Sequence, residues 1–188
     1  MLLKRRKACR ITVDPGLGGT GWAVWESGSV WPTLVMPVAT GVIRAGGPTS
    51  WILRSNRIMS GFSALMAQYG PERVYVEFPE FFDSATGRAC AVGDQPDEPA
   101  PLQKLTVMVG RIAQVCYEHE ATFVPVLVRA WKGQTPKPVI ARRVARRYGG
   151  KPDMFPDHTM DAVALGLHLK GQLGGQRSGL VTNTPKSR

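Results

Sequence analysis

The chain has 188 residues, 43% of them hydrophobic, and carries 24 Lys and Arg against 14 Asp and Glu, a formal charge of +10. That length suits one domain burying roughly 70% of its unfolded surface, and five Trp and six Phe point to a packed core rather than a disordered chain. The positive excess points to a polyanionic partner, nucleic acid above all, although ribosomal and membrane-surface proteins share this balance.

In chain order, residues 1–9 form a basic extension, "MLLKRRKAC". No apolar stretch of seven or more residues follows it, so it does not read as an export signal. "RITVDPGLGGTGWAVW" (10–25) reads as a β-branched strand, two turns and a second strand. A third strand is expected near "VATGVIRA" (38–45). Residues 50–69 place Ile52, Ile58, Met59, Phe62, Leu65 and Met66 at helical intervals, with Ser50 or Thr49 as a cap and Gly70-Pro71 as the stop. "RVYVEFPEFF" starts as a short strand ending in Glu77, and residues 83–101, rich in Gly, Pro, Asp and Ala, read as a loop.

Residues 102–120 read as a long buried helix, "TFVPVLV" as a fifth strand, and "TPKPVIARRVARRYGG" as a short basic helix. "FPDHTMDAVALGLHLKG" closes the domain as a last helix, with Pro156 tolerated in its first turn. From Gly171 to residue 188, Gly, Gln, Ser, Lys and Arg dominate, the composition of a flexible tail. No stretch approaches the 18 or so apolar residues of a membrane-spanning helix. Cys9, Cys90 and Cys116 are widely spaced and lack a CxxC pair, which argues against a disulfide framework or a zinc cluster and for reduced thiols in a cytosol-like compartment.

Three early strands followed by helix, strand, helix, strand and helices make an α/β domain with a mixed sheet over residues 10–170. If the crossover after the third strand lays the fourth beside the first, Asp14 and Glu77 end on neighbours about 4.8 Å apart. Two carboxylates that close repel each other unless a cation lies between them. Each acid also has a plain reading: Asp14 as a turn-starting Asp, Glu77 as a solvated strand end.

Asp161 is the sharper anomaly, because "MDAVALGLHL" is apolar around nearly its whole circumference. A carboxylate buried there needs a metal or a charged partner such as one of the many arginines. His158 and Asp161 are three residues apart and Asp157 and Asp161 four apart, so either pair shares a helix face, though not both equally. Three carboxylates in a basic chain without a zinc signature suit Mg²⁺ or Mn²⁺, two of which about 3.5–4 Å apart would activate water and stabilise the leaving oxygen of a phosphodiester.

The segments "ITVDPGLGGTGWAV", "VYVEFPEFF", "VRAWKGQTPK" and "DHTMDAVALGL" occur in the order and at about the spacing of the RuvC-type Holliday junction resolvases, which the chain resembles over residues 10–170. The "WKG…PK" form looks most like the bacteriophage branch. The resemblance implies an RNase H-like fold with a mixed five-stranded sheet and helices on both faces. It implies a homodimer placing two symmetric nicks in a four-way DNA junction, with two Mg²⁺ or Mn²⁺ ions per site, in the cytoplasm of a bacterial or phage-infected cell and away from membranes. Asp14, Glu77 and Asp161 match the family's metal-binding acids and His158 its fourth ligand, leaving Asp157 a supporting or helix-capping role.

Lys132 and Lys137 match lysines near the cleavage site, where they would neutralise the scissile phosphate; their plain reading is a solvated surface. Phe78, Phe81 and Phe82 follow Glu77, and the resemblance makes Phe81, ahead of Phe78, the aromatic that stacks on an unpaired base; all three also suit a core. Arg142 with Arg146 and Arg143 with Arg147 form two i,i+4 pairs, a solvated face or a phosphate-tracking one. Arg111 joins the same DNA-binding set. On family grounds the 102–120 helix is the candidate dimer surface.

Two rivals stay open: a nuclease of the same fold cutting flaps, forks or other branched DNA, and a non-catalytic DNA-binding protein. "DPGLGGTG" also resembles the phosphate loop of sugar kinases and actin-like ATPases, but the chain is too short for their second domain and far too basic.

Overall fold

A computed structural model describes residues 8–26, 36–47, 49–79 and 99–173. Five strands, β1 (Cys9–Asp14), β2 (Gly19–Glu26), β3 (Ala39–Arg44), β4 (Arg73–Phe78) and β5 (Thr122–Leu127), form one sheet in the order β3-β2-β1-β4-β5. The first three make an antiparallel meander, while β4 runs parallel to β1 and β5 parallel to β4. The crossover that returns the chain beside β1 is α1 (Trp51–Tyr69). Ser50 caps it by accepting from the Leu53 amide, and Gly70 ends it in the left-handed conformation.

Alternation along the strands divides the core in two. Ile11, Val13, Val24, Val74 and Val76 face α1 and α2 (Pro101–Glu118), meeting Ile58, Phe62, Met108 and Ile112. Ala23 and Trp25 face the other way, toward a layer of α3 (Val128–Trp131), α4 (Lys137–Tyr148) and α5 (Asp157–Leu169). The central helix there is α5, buried continuously from Thr159 to Leu167, as its unbroken apolar circumference predicts.

Glycines let α5 lie directly on the sheet. A Cβ on Gly21 would overlap the His158 carbonyl, and one on Gly166 would overlap the Trp25 indole. Thr12 pins the contact from beneath: its hydroxyl donates to the Ala162 carbonyl at 2.7 Å and accepts from Trp25 Nε1 at 2.9 Å. Thr159 adds a bond to the Gly41 carbonyl at 3.1 Å. One threonine therefore links β1, β2 and the last helix.

The structure differs from the sequence reading at three points. The four-residue α3 follows β5 without a break and is too short for periodicity to announce. Strand β4 continues one residue past Glu77, to Phe78. Pro156, not Asp157, holds the position before α5, so Asp157 is the first helical residue and makes no capping bond. Among the described residues no helix is long and apolar enough to cross a membrane.

Candidate active site at the strand ends

Asp14 is the last residue of β1 and follows the β1–β4 pair Val13–Val76, as Glu77 does on the neighbouring strand. Both acids share the sheet face of Thr12 and Tyr75, which is the face α5 covers. The first turn of α5 overhangs these strand ends because Gly21 admits its backbone. His158 hydrogen-bonds Asp14 there, Nδ1 donating to Oδ2 at 2.7 Å. One turn further on, buried Asp161 (4% exposed) accepts from Lys132 Nζ at 2.9 Å, with Lys137 Nζ at 3.7 Å. Lys132 itself closes α3, over the Trp131 ring.

The three carboxylates lie within one another's field. Burial raises the pKa of Asp14 above the ordinary range, and neighbouring Asp161 adds to the effect, outweighing the bond from His158. Burial lifts Glu77 to about 7, with Asp14 the next cause. Its Oε2 is buried and has no hydrogen-bond partner among the described residues. An acceptor left in that state costs about 1–3 kcal/mol; among the described residues Asp14 and Asp161 have close hydrogen-bond partners, while this oxygen of Glu77 has none. The bond to Asp14 raises the pKa of His158, while Asp157, bonded to Lys137 at 2.8 Å near the surface, is held low.

Among the described residues no three His, Cys, Asp or Glu side chains are already drawn close enough to grip a single ion. Lys132 and the His158 imidazole hold Asp161 and Asp14 instead. The donor chemistry nonetheless suits a hard divalent cation. It comprises two buried acids, a third with an orphaned oxygen, and one imidazole.

Not every residue singled out from sequence joins this group. Asp157 faces Lys137 on the exposed side. Phe78 lies on the opposite sheet face from Glu77 and packs against the α1–α2 core, while Phe81 and Phe82 fall outside the described residues. Arg111 donates to Ser55 at 2.7 Å between α2 and α1, in the other layer. On α4, Ile140 and Val144 are buried, whereas Arg142 and Arg146 are exposed and Arg143 and Arg147 half-buried. The residues the sequence reading passed over are Thr12 and Gly21. A glycine inside "GTGWAV" is itself a signal of close backbone approach; a threonine in a strand carries none.

No family model matches the sequence, and no curated protein does. Solved structures do match. The structure of Thermus thermophilus RuvC is similar with a TM-score of 0.62 at 19% identity, over 87% of this chain and 97% of that one. T. thermophilus RuvC in complex with a Holliday junction substrate is similar with a TM-score of 0.63 at 18% identity, over 85% of this chain and 91% of that one. The chain has the RuvC fold. Its α/β architecture and mixed five-stranded sheet are those expected of an RNase H-like domain, and nearly the full length of RuvC is represented in it.

Proposed function

We propose that this chain is a RuvC-type resolvase, an endodeoxyribonuclease dependent on Mg²⁺ or Mn²⁺ that cuts four-way DNA junctions by paired symmetric nicks. The observation that carries the reading is the approach of Asp14, His158 and Asp161, from β1 and α5, to Glu77 on β4, whose buried Oε2 has no hydrogen-bond partner among the described residues. The likeness to a RuvC solved with a Holliday junction supports the choice of substrate.

Asp14, Glu77, Asp161 and His158 would hold the two ions, whose chemistry is to activate a water and stabilise the departing oxygen. Each protein group then has a defined task. To hold the ions, Asp14 and Asp161 would turn toward them oxygens that now accept from His158 and Lys132. His158 would act as a ligand only as the neutral imidazole, so metal affinity rises with pH. The freed Lys132 ammonium, 13% exposed, neutralises charge on the scissile phosphate where water screens it least. Lys137, 53% exposed, does the same from the rim. The arginines of α4 follow the phosphodiester backbone without reading bases.

The homodimer is supported by the outer face of α2, where Val107 and Tyr117 are 48% and 80% exposed beside uncharged Gln114. Apolar exposure on one helix face suits packing against its symmetry copy.

Asp14→Asn tests the reading. It should lower junction cleavage by at least about a hundredfold, the scale for removing one group that stabilises transition-state charge, while binding measured by gel shift persists. Unchanged cleavage, or plain duplex cut as fast as a junction by the wild-type protein, would contradict it.

A further inference from the structure

Beside the carboxylates lies a cleft of about 320 Å³ between the start of α4, residues 152–155 and the start of α5. Its walls are Pro138 and Ala141 on one side, Pro152 and Phe155 on the other, with Met160 at the base. Lys137, Asp157 and Asp161 form the edge it shares with the candidate active site, and Asp153 stands on the outer rim. Its volume sits at the low end of the roughly 300–1,000 Å³ typical of small-molecule pockets.

The walls are firm. Phe155 meets Tyr148 edge-on, with ring centroids 6.4 Å apart at 80°, and both pack on the core under α4 and α5. An apolar lining of prolines, an alanine, a methionine and a phenyl ring, with carboxylate acceptors at the edge, suits a planar heterocycle carrying N–H donors. It does not suit a phosphate: the ammonium groups of Lys137 at the edge and of Lys132 are already taken up by Asp157 and Asp161, and Asp153 adds a further negative charge. Lys137 and Ala141 belong to the helix that carries the arginines, so a strand that follows those arginines toward Asp161 runs beside the cleft.

We propose that this cleft receives the base of a nucleotide flanking the scissile phosphate, turned out of its pair, and that Asp153 accepts a hydrogen bond from its exocyclic amino group. Unpairing costs least where the duplex is already interrupted, so the cleft selects for branched DNA as well as for base. Cytosine, adenine and guanine carry such an amino group and thymine does not; cytosine, the smallest of the three, best suits a cleft of this small volume. Asp153 is here a specificity residue, and the inference rests on the nuclease reading.

The test uses full-length protein and immobile four-way junctions with each base, or an abasic site, at the nucleotides on either side of the cut. With wild-type protein, thymine or an abasic site at one of these positions should lower kcat/KM about tenfold relative to cytosine, the scale of one lost base contact. Asp153→Ala should erase the cytosine–thymine difference while cutting the abasic junction at the wild-type rate. Ala141→Phe, which fills the cleft from α4, should make all four bases and the abasic site equivalent; its melting temperature, compared with wild type, shows that the fold survives.

If wild-type protein cuts no branched DNA, the nuclease reading fails and takes this inference with it. If it cuts with a base profile that Asp153→Ala and a folded Ala141→Phe leave unchanged, the cleft assignment alone is wrong. An Ala141→Phe protein that does not fold leaves Asp153→Ala to decide.

Discussion

The two layers that flank the sheet are built on different terms. On the α1–α2 side, Ile58, Phe62, Met108 and Ile112 close over the strands with no exposure at all, and apolar contact dominates, joined by the Arg111–Ser55 hydrogen bond. The α4–α5 side has an equally dry core, but at one end it gives way to Asp14, Glu77, Asp161, Lys132 and His158. Charges held together under partial burial do little for stability, because desolvation offsets most of their attraction. The difference teaches where this molecule keeps its fold and where it accepts strain for chemistry.

Substitutions in each layer sharpen or break that contrast. The largest loss of stability belongs to the apolar layer: Phe62→Ala should cost about 3–5 kcal/mol in urea unfolding. A loss below about 1 kcal/mol would mean that this layer is not the anchor. Gly21→Ala comes next. Its methyl group meets the His158 backbone, so about 1–3 kcal/mol should be lost to overpacking, together with cleavage, as the first turn of α5 lifts away from Asp14. Full activity with that variant would show that the seating of α5 does not matter.

Glu77→Gln should act in the opposite direction on the fold. The folded pKa of Glu77, about 7, lies above its ordinary value of 4.5, so the folded chain holds the proton more tightly than the unfolded chain. The associated stability is complete below about pH 4.5 and disappears as pH rises through 7. Asp14 and His158, both shifted upward, contribute slopes of the same sign. Metal-free wild type should therefore lose stability from pH 5 to pH 8. Glu77→Gln should flatten that fall, melt higher at pH 8 by roughly 2–4 °C per kcal/mol recovered, and cut no DNA. An unaltered slope would remove Glu77 from the buried acids. Smallest of all, Lys137→Ala should change stability by less than about 1 kcal/mol, since its ion pair with Asp157 is exposed. Its junction cleavage should nonetheless fall measurably, and parity with wild type would place Lys137 outside the chemistry.

Local signals made most of the fold legible in the sequence. The periodicity of residues 50–69 and the Gly70 stop give α1, and the apolar circumference around Asp161 gives α5 its buried place. The strand alternation at Val74, Val76 and Glu77 was also readable, but only the parallel pairing of β4 with β1 makes it bring Glu77 beside Asp14. What stayed hidden depends on partners distant in the chain. The resemblance around "VRAWKGQTPK" puts Lys132 near the site, but no periodicity or spacing there announces that its ammonium will meet Asp161, 29 residues on. Nothing near Thr12 shows that its hydroxyl will find a helix 150 residues away. Phe78 takes the core place that the sequence also allowed it: its neighbour Glu77 faces the site, and a strand turns successive side chains to opposite faces.

That threonine has a mechanical consequence. Asp14 stands two residues beyond Thr12 on the same sheet face, and Asp161 immediately precedes Ala162, whose carbonyl Thr12 holds. The bond thus works as the rivet of a pair of pliers whose jaws carry the two carboxylates. How far the jaws open is set deep inside, out of reach of water, so the spacing of the two acid-bearing backbones belongs to the fold itself.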